Sequence, residues 1–158
     1  MYKRVLLAYD GSMEGALALR EGALLARACQ ADVILLCLAP NSAGLQIAEG
    51  VQGGVVAQLV EGHQELMARA VGRLKELGFN PTARIECGEP APTISRIAEE
   101  VSADLVVVGH RKQSFLERWW SGSTDAYLSD HVGCSVLIGC NDVSDDDFEA
   151  ACNAMASA

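Results

Sequence analysis

Short unbroken apolar runs recur along the chain, separated by longer stretches in which apolar residues return every three or four positions. The first run, Val5 to Tyr9, is too short for a helix and has no polar member, as expected of a strand covered on both faces. It ends in Asp10-Gly11-Ser12. From Glu14 to Cys29 the polar residues Glu14, Arg20, Glu21 and Arg27 leave a wide apolar stripe, which predicts a helix. Asp32 to Leu38 repeats the buried-strand pattern and is closed by Ala39-Pro40, since proline cannot donate to a ladder.

Residues 41–56 hold Gly44, Gly50, Gly53 and Gly54 without a clear period and read as a long mobile connection. Met67, Ala70, Val71, Leu74 and Leu77 then mark a second helix, with Gly78 placed to end it. Thr82, Arg84 and Glu86 alternate with Ala83, Ile85 and Cys87, a period of two that suggests an edge strand with one face partly exposed. Gly88-Glu89-Pro90 makes a turn, and Ile94, Ile97, Ala98 and Val101 give a short amphipathic helix. Asp104 to Val108 is again a buried strand, cut off at Gly109; a helix is expected from about Ser123 to His131, and Ser135 to Ile138 is the last strand. Strands alternating with helices, with no hairpin signal between them, predict right-handed crossovers and an α/β fold: one doubly wound domain around a mainly parallel sheet of five strands.

Composition narrows the picture. A chain of 158 residues, half of them hydrophobic, can bury a core without disulfides or a structural metal. The apolar run at the N-terminus stops at Asp10, too short for a signal peptide or a membrane span, so a cytoplasmic location is expected. The cysteines at 29, 37, 87, 134, 140 and 152 form no C-x-x-C pair and read as reduced, mostly buried small hydrophobes. A net charge of −9 argues against nucleic acid or an anionic membrane as partner. Asp142, Asp145, Asp146, Asp147 and Glu149 place five of the negative charges after the last strand, so residues 1–141 are taken as the domain and 142–158 as an acidic tail. With little to bury, that tail is expected to be solvated, mobile or weakly helical.

In an open parallel sheet a ligand sits outside the carboxyl ends of the strands, where the strand order reverses. The loops after the first and fourth strands are therefore the ones with legible chemistry. Gly122 allows close backbone approach, and Ser123 and Thr124 bring hydroxyls beside the free N–H groups of a helix start, a place that attracts phosphate. Arg111 and Lys112 add positive charge next to it. The same residues also fit a turn glycine, an N-cap and a solvated basic pair. His110 is the one histidine near this loop, and Trp119-Trp120 would cover a pocket or pack on the sheet edge. No G-x-S-x-G elbow stands in the chain, and strand three ends in Cys87-Gly88 where a response-regulator receiver would need a phosphorylatable Asp.

Tyr9-Asp10-Gly11-Ser12, Gly88-Glu89-Pro90, Asp104-Leu105-Val106-Val107-Val108-Gly109, Gly122-Ser123 and Cys134-Ser135-Val136-Leu137-Ile138 together resemble the universal stress protein family, from about residue 3 to residue 140. The resemblance implies strand order 3-2-1-4-5, stress-linked regulation and an adenine nucleotide (ATP, ADP or AMP) held between the loops after strands one and four. Members that bind ATP carry G-x2-G-x9-G-S/T; here Gly109 and Gly122-Ser123 match its ends, while Lys112 stands at the middle glycine. That side chain would either block the backbone from wrapping the phosphates or contact them itself, and magnesium would accompany a bound triphosphate. By the same resemblance Asp10 sits near ribose and adenine, with Leu38 and Val108 against the base; Asp10 as a helix cap and the other two as core fit these positions as well. The alternatives are a member that binds no nucleotide and acts through an unknown protein partner, or a slow ATP hydrolase or autophosphorylating protein using Ser123 and Thr124. The implied order also leaves Ser135, Val136, Leu137 and Ile138 at a sheet edge, so a homodimer through the last strand is expected unless the acidic tail folds over it.

Overall fold

The computed structural model describes residues 1–9, 13–39, 54–109, 130–139, 141 and 143–157. The elements, in chain order, are β1 (Arg4–Tyr9), α1 (Met13–Ala28), β2 (Asp32–Ala39), α2 (Gly54–Glu76), β3 (Thr82–Cys87), α3 (Pro90–Glu100), β4 (Leu105–Gly109), β5 (Ser135–Gly139) and α4 (Asp145–Ala156). The five strands form one sheet in the order β3-β2-β1-β4-β5, and every pairing is parallel. The doubly wound α/β fold expected from the alternation of patterns is therefore the fold observed. The sequence pattern places the start of α2 three residues late; the rest of the expected 41–56 connection and most of the expected 123–131 helix lie outside the described residues.

Why the strand runs are unbroken is visible in the two cores. Val5, Leu7 and Tyr9 of β1, with Val33, Leu35 and Cys37 of β2 and Leu105 and Val107 of β4, pack with Leu19, Ala23 and Ala26 of α1 and Met67 and Leu74 of α2. The alternate positions, Leu6, Ala8, Ile34, Leu36, Leu38, Val106 and Val108, pack with Ala91, Ile94, Ile97 and Ala98 of α3 on the opposite face. Period-two side chains thus feed two apolar layers, so a polar residue at either phase would be buried. Gly22 brings α1 close to the sheet: a Cβ there would stand 2.6 Å from Val107 Cγ1 and 3.0 Å from Leu7 Cδ2. β3 is an edge strand, as expected, but its burial does not alternate with its sequence: Ala83 and Cys87 are exposed, while Arg84 and Glu86 are half-buried because they join Arg96 and Glu100 of α3 in an ion-pair network.

Three of the helices end in the same way. Gly78 at φ 82°, Gln30 at φ 55° and Ser102 at φ 51° take the left-handed conformation just past α2, α1 and α3. Each is followed by an N–H that reaches five residues back, Phe79 to Leu74, Ala31 to Ala26 and Ala103 to Ala98. Only Gly78 was legible as a stop, because left-handed backbone costs other residues about 1–2 kcal/mol.

The acidic tail corrects the sequence reading. Residues 145–156 form a helix whose Ser144 cap accepts from Asp147 N–H at 3.1 Å, with Phe148 and Cys152 buried against the α1 and α2 side of the sheet. The acidic composition concealed two apolar positions four residues apart, one helical turn, which is enough to dock a helix. None of the described cysteines is in a disulfide; of these five, Cys37 and Cys152 are buried, Cys29 and Cys134 half-buried and Cys87 at the end of β3 exposed, fewer buried than the expected majority.

The central strands are pinned at their amino ends by one carboxylate. Asp104 accepts from Lys3 N–H at 2.7 Å and Arg4 N–H at 3.1 Å, tying the start of β1 to the start of β4. Partial burial pushes this carboxyl up, but the backbone N–H groups of Lys3, Arg4 and Asp104 itself, with the charge of Arg4, outweigh it and hold the group below its ordinary value. A depressed carboxylate stabilises the fold above its unfolded value, about 3.9, and that stabilisation is lost as pH falls through the folded value. Thermal melts should therefore show Asp104→Asn less stable than the unsubstituted protein at pH 7, with the difference closing as pH falls through the depressed value of the Asp104 carboxyl. A gap of constant size across that range would contradict this assignment.

Candidate functional site

The strand order reverses at β1 and β4. From β1 the chain passes to β2 through α1 on one face, whereas β4 is reached from β3 through α3 on the other. Among the described residues no helix crosses directly between the carboxyl ends of these neighbouring strands, which is the position where doubly wound proteins hold ligands. In the register Leu36 and Val108 flank Ala8, so the floor from β2 to β4 spans two strand spacings, about 10 Å.

Three of the sequence-derived site residues lie at this end of the sheet. Leu38, one residue before the end of β2, and Val108, one before the end of β4, are 4% and 2% exposed, and both side chains belong to the α3-side core. What these strands can offer a ligand is accordingly backbone at their ends. Gly109 closes β4 and is buried. Asp10, Arg111, Lys112, Gly122, Ser123 and Thr124, together with His110, Trp119 and Trp120, lie outside the described residues.

One feature of this rim escaped the sequence reading. Gly139, the last residue of β5, is paired with Gly109, so two adjacent strands finish in glycine at the same level. Both glycines are buried, and neither puts a side chain at this level of the sheet. The signal was present in the parallel endings Val106-Val107-Val108-Gly109 and Val136-Leu137-Ile138-Gly139. Just beyond, Asn141 Nδ2 donates to Glu21 Oε1 at 3.0 Å, so the chain leaving β5 is tied to α1.

The opposite end of the sheet has different chemistry. A cavity of about 420 Å³ lies near the amino ends of β4 and β5, lined by Ser95, Glu99, Ser102, His131 and Cys134 among others. Burial, with the nearby Asp104 charge, raises the Cys134 thiol, so it is kept protonated and is no activated nucleophile. Among the described residues no group of three or more His, Cys, Asp or Glu could hold a metal ion, and no helix is long and apolar enough to cross a membrane.

Comparison with known proteins agrees with this architecture. A universal stress protein of Synechocystis is 28% identical over 149 residues, covering 87% of this chain and 97% of its own. The crystal structure of a universal stress protein in complex with cAMP superposes with a TM-score of 0.61 at 25% identity, covering 87% of this chain and 95% of that one. A universal stress protein from Archaeoglobus fulgidus in complex with dAMP shares the fold, with a TM-score of 0.61 at 21% identity over 87% of this chain and 97% of that one. Residues 1–138 match the model of the universal stress protein family, and on that match across most of its length the chain belongs to the universal stress protein family.

Proposed function

We propose that the protein is a stress-response regulatory module that holds an adenine nucleotide at the carboxyl ends of β1 and β4. The observation that carries this reading is the reversal of strand order at β1 and β4, the position where doubly wound proteins hold ligands, with glycine ending both β4 and β5 beside it. The relative crystallised with cAMP supports the choice of an adenine nucleotide. In this reading the base lies over the ends of β2, β1 and β4 near Leu38, Asp10 and Val108, and the phosphate reaches the segment holding Arg111, Lys112, Gly122, Ser123 and Thr124. These residues suit the group: a backbone floor for the ring, and cations with a Gly-Ser-Thr stretch for an anion. The chain's part is to bind and orient, and no residue is assigned to bond cleavage.

Calorimetric titration with AMP, cAMP, ADP and ATP tests the proposal. Saturable binding of one nucleotide per chain is expected, and Gly109→Val, read on protein that keeps its folded amide spectrum, should weaken it by about tenfold or more, a loss of at least ~1.4 kcal/mol, because a branched side chain is added at the buried end of β4. No heat and no thermal shift with any of the four at millimolar concentration would sink the nucleotide reading. ATP binding without response to magnesium would remove the metal from it.

The second part of the proposal is assembly. β5 ends the strand order, and Val136 and Ile138 on it are 38% and 37% exposed, which is high for an apolar pair on a strand. Pairing of two copies through Ser135, Val136, Leu137 and Ile138 would cover them by the commonest oligomer symmetry. Light scattering at micromolar concentration should give a dimer mass that falls to monomer on Val136→Asp. A monomer mass for the unsubstituted chain would rule this interface out.

A further inference from the structure

The helix that the family model does not reach is held in a way that suggests exchange. The matched region ends at residue 138, and α4 lies beyond it, gripped from two sides. From α1, Arg20 Nη1 donates to the Val143 carbonyl at 3.0 Å, Arg20 Nη2 pairs with Asp145 at 2.9 Å, and the same guanidinium lies 5.8 Å from the Phe148 ring centre. From α2, Arg73 pairs with Glu149 at 2.7 Å and stands 3.8 Å from Asp145. Phe148 itself stacks on Phe79 at 6.2 Å between ring centres and 14° between planes. Asp145, Phe148, Glu149 and Cys152 stand at i, i+3, i+4 and i+7, the spacing by which an amphipathic helix seats in a groove.

The receiving groove is built without α4. Phe79 is fixed by Arg27, whose guanidinium lies 5.3 Å from its ring centre and donates to the Leu77 carbonyl, so α1 and the end of α2 hold the floor between them. The rim is cationic in a chain of net charge −9, since Arg20 and Arg73 both face it. The plug is held more lightly. Of the twelve residues of α4 only Phe148 and Cys152 are buried, and the paired side chains are half-exposed, 56% for Asp145 and 50% for Glu149, where ion pairs are weak and screened. Elements with so few buried contacts open at the low end of a protein's range of local stabilities.

We propose that the groove between α1 and the C-terminal end of α2 is a docking site for an acidic amphipathic helix of a partner protein, and that α4 occupies it in cis as a displaceable plug. The partner helix presents an acid, an aromatic, a second acid and a small apolar residue at i, i+3, i+4 and i+7. Its acids meet Arg20 and Arg73, and its aromatic lies on Phe79. The site lies on the α1 and α2 face of the sheet, and its test uses a peptide and no nucleotide, so it stands or falls independently of nucleotide binding.

The test uses the full-length chain and a fluorescent peptide copying residues 143–157. Phe148→Asp releases the chain's own α4, and this variant is expected to bind the peptide at least about tenfold more tightly than the unsubstituted protein, whose groove is filled. Adding Arg73→Glu, or replacing Phe148 by Ala within the peptide, should each cost about tenfold. No binding by a Phe148→Asp chain that retains its folded amide spectrum, or binding indifferent to the peptide's Phe148, would overturn the proposal. Should that variant fail to fold, hydrogen exchange on the unsubstituted chain decides: α4 amides should exchange at least about tenfold faster than those of the middle of α1, and equal rates would overturn it. A dimer that survives Val136→Asp but dissociates on Phe148→Asp would give the groove to the helix of a second copy, also against the partner reading.

Discussion

The constraint on which the rest depends is that a parallel sheet must be covered on both faces. β1 lies at the centre, and Val5, Leu6, Leu7 and Ala8 are each no more than 1% exposed. With two apolar layers to supply, β1, β2 and β4 can contain almost no polar residue, and the helices that cover them are forced to opposite sides by the direction in which the chain leaves each strand. The polar groups at the two ends of the strands are consequently where specificity can reside. At the amino ends Asp104 satisfies the N–H groups of Lys3 and Arg4. At the carboxyl ends the strands finish in Tyr9, Ala39, Gly109 and Gly139, beside the reversal of strand order.

Reversal and glycine endings serve different purposes. The reversal follows from winding direction and would create a crevice with many sequences. Gly109 beside Gly139 is particular to this chain's residues and leaves both strand ends without a side chain. Leu38 and Val108, which the family resemblance places against a base, have their side chains committed to the α3-side core. Selectivity in the proposed site therefore falls to backbone groups and to the loop residues beyond the strands.

Much of the fold was legible because it is written in period and in punctuation. Unbroken runs at 5–9, 32–38 and 104–108 required two-sided burial, and the alternation at 82–87 required an edge, which the place of β3 in the strand order bears out. Less legible was anything decided by tertiary partners. Gln30 and Ser102 end helices in a conformation that their types disfavour, so no local signal marks them. The segment after β5 looked solvated by composition, yet Phe148 finds Phe79 and Arg20 across 69 and 128 positions of sequence respectively, a coincidence no local pattern encodes. For the site, strand ends and the first glycine were readable from the loop positions, whereas Gly139 mattered only once its pairing with Gly109 was known.

The central claim, that a nucleotide is held at the carboxyl ends of the central strands, is tested most directly by mapping amide chemical shifts as AMP is added. The account predicts that the largest changes among the residues placed here fall at Tyr9, Ala39, Gly109 and Gly139, with β-strand amino ends such as Arg4 and Leu105 unmoved. Changes centred instead on Ser95, Glu99 and Cys134 at the other end of the sheet, or none at saturating AMP, would contradict it.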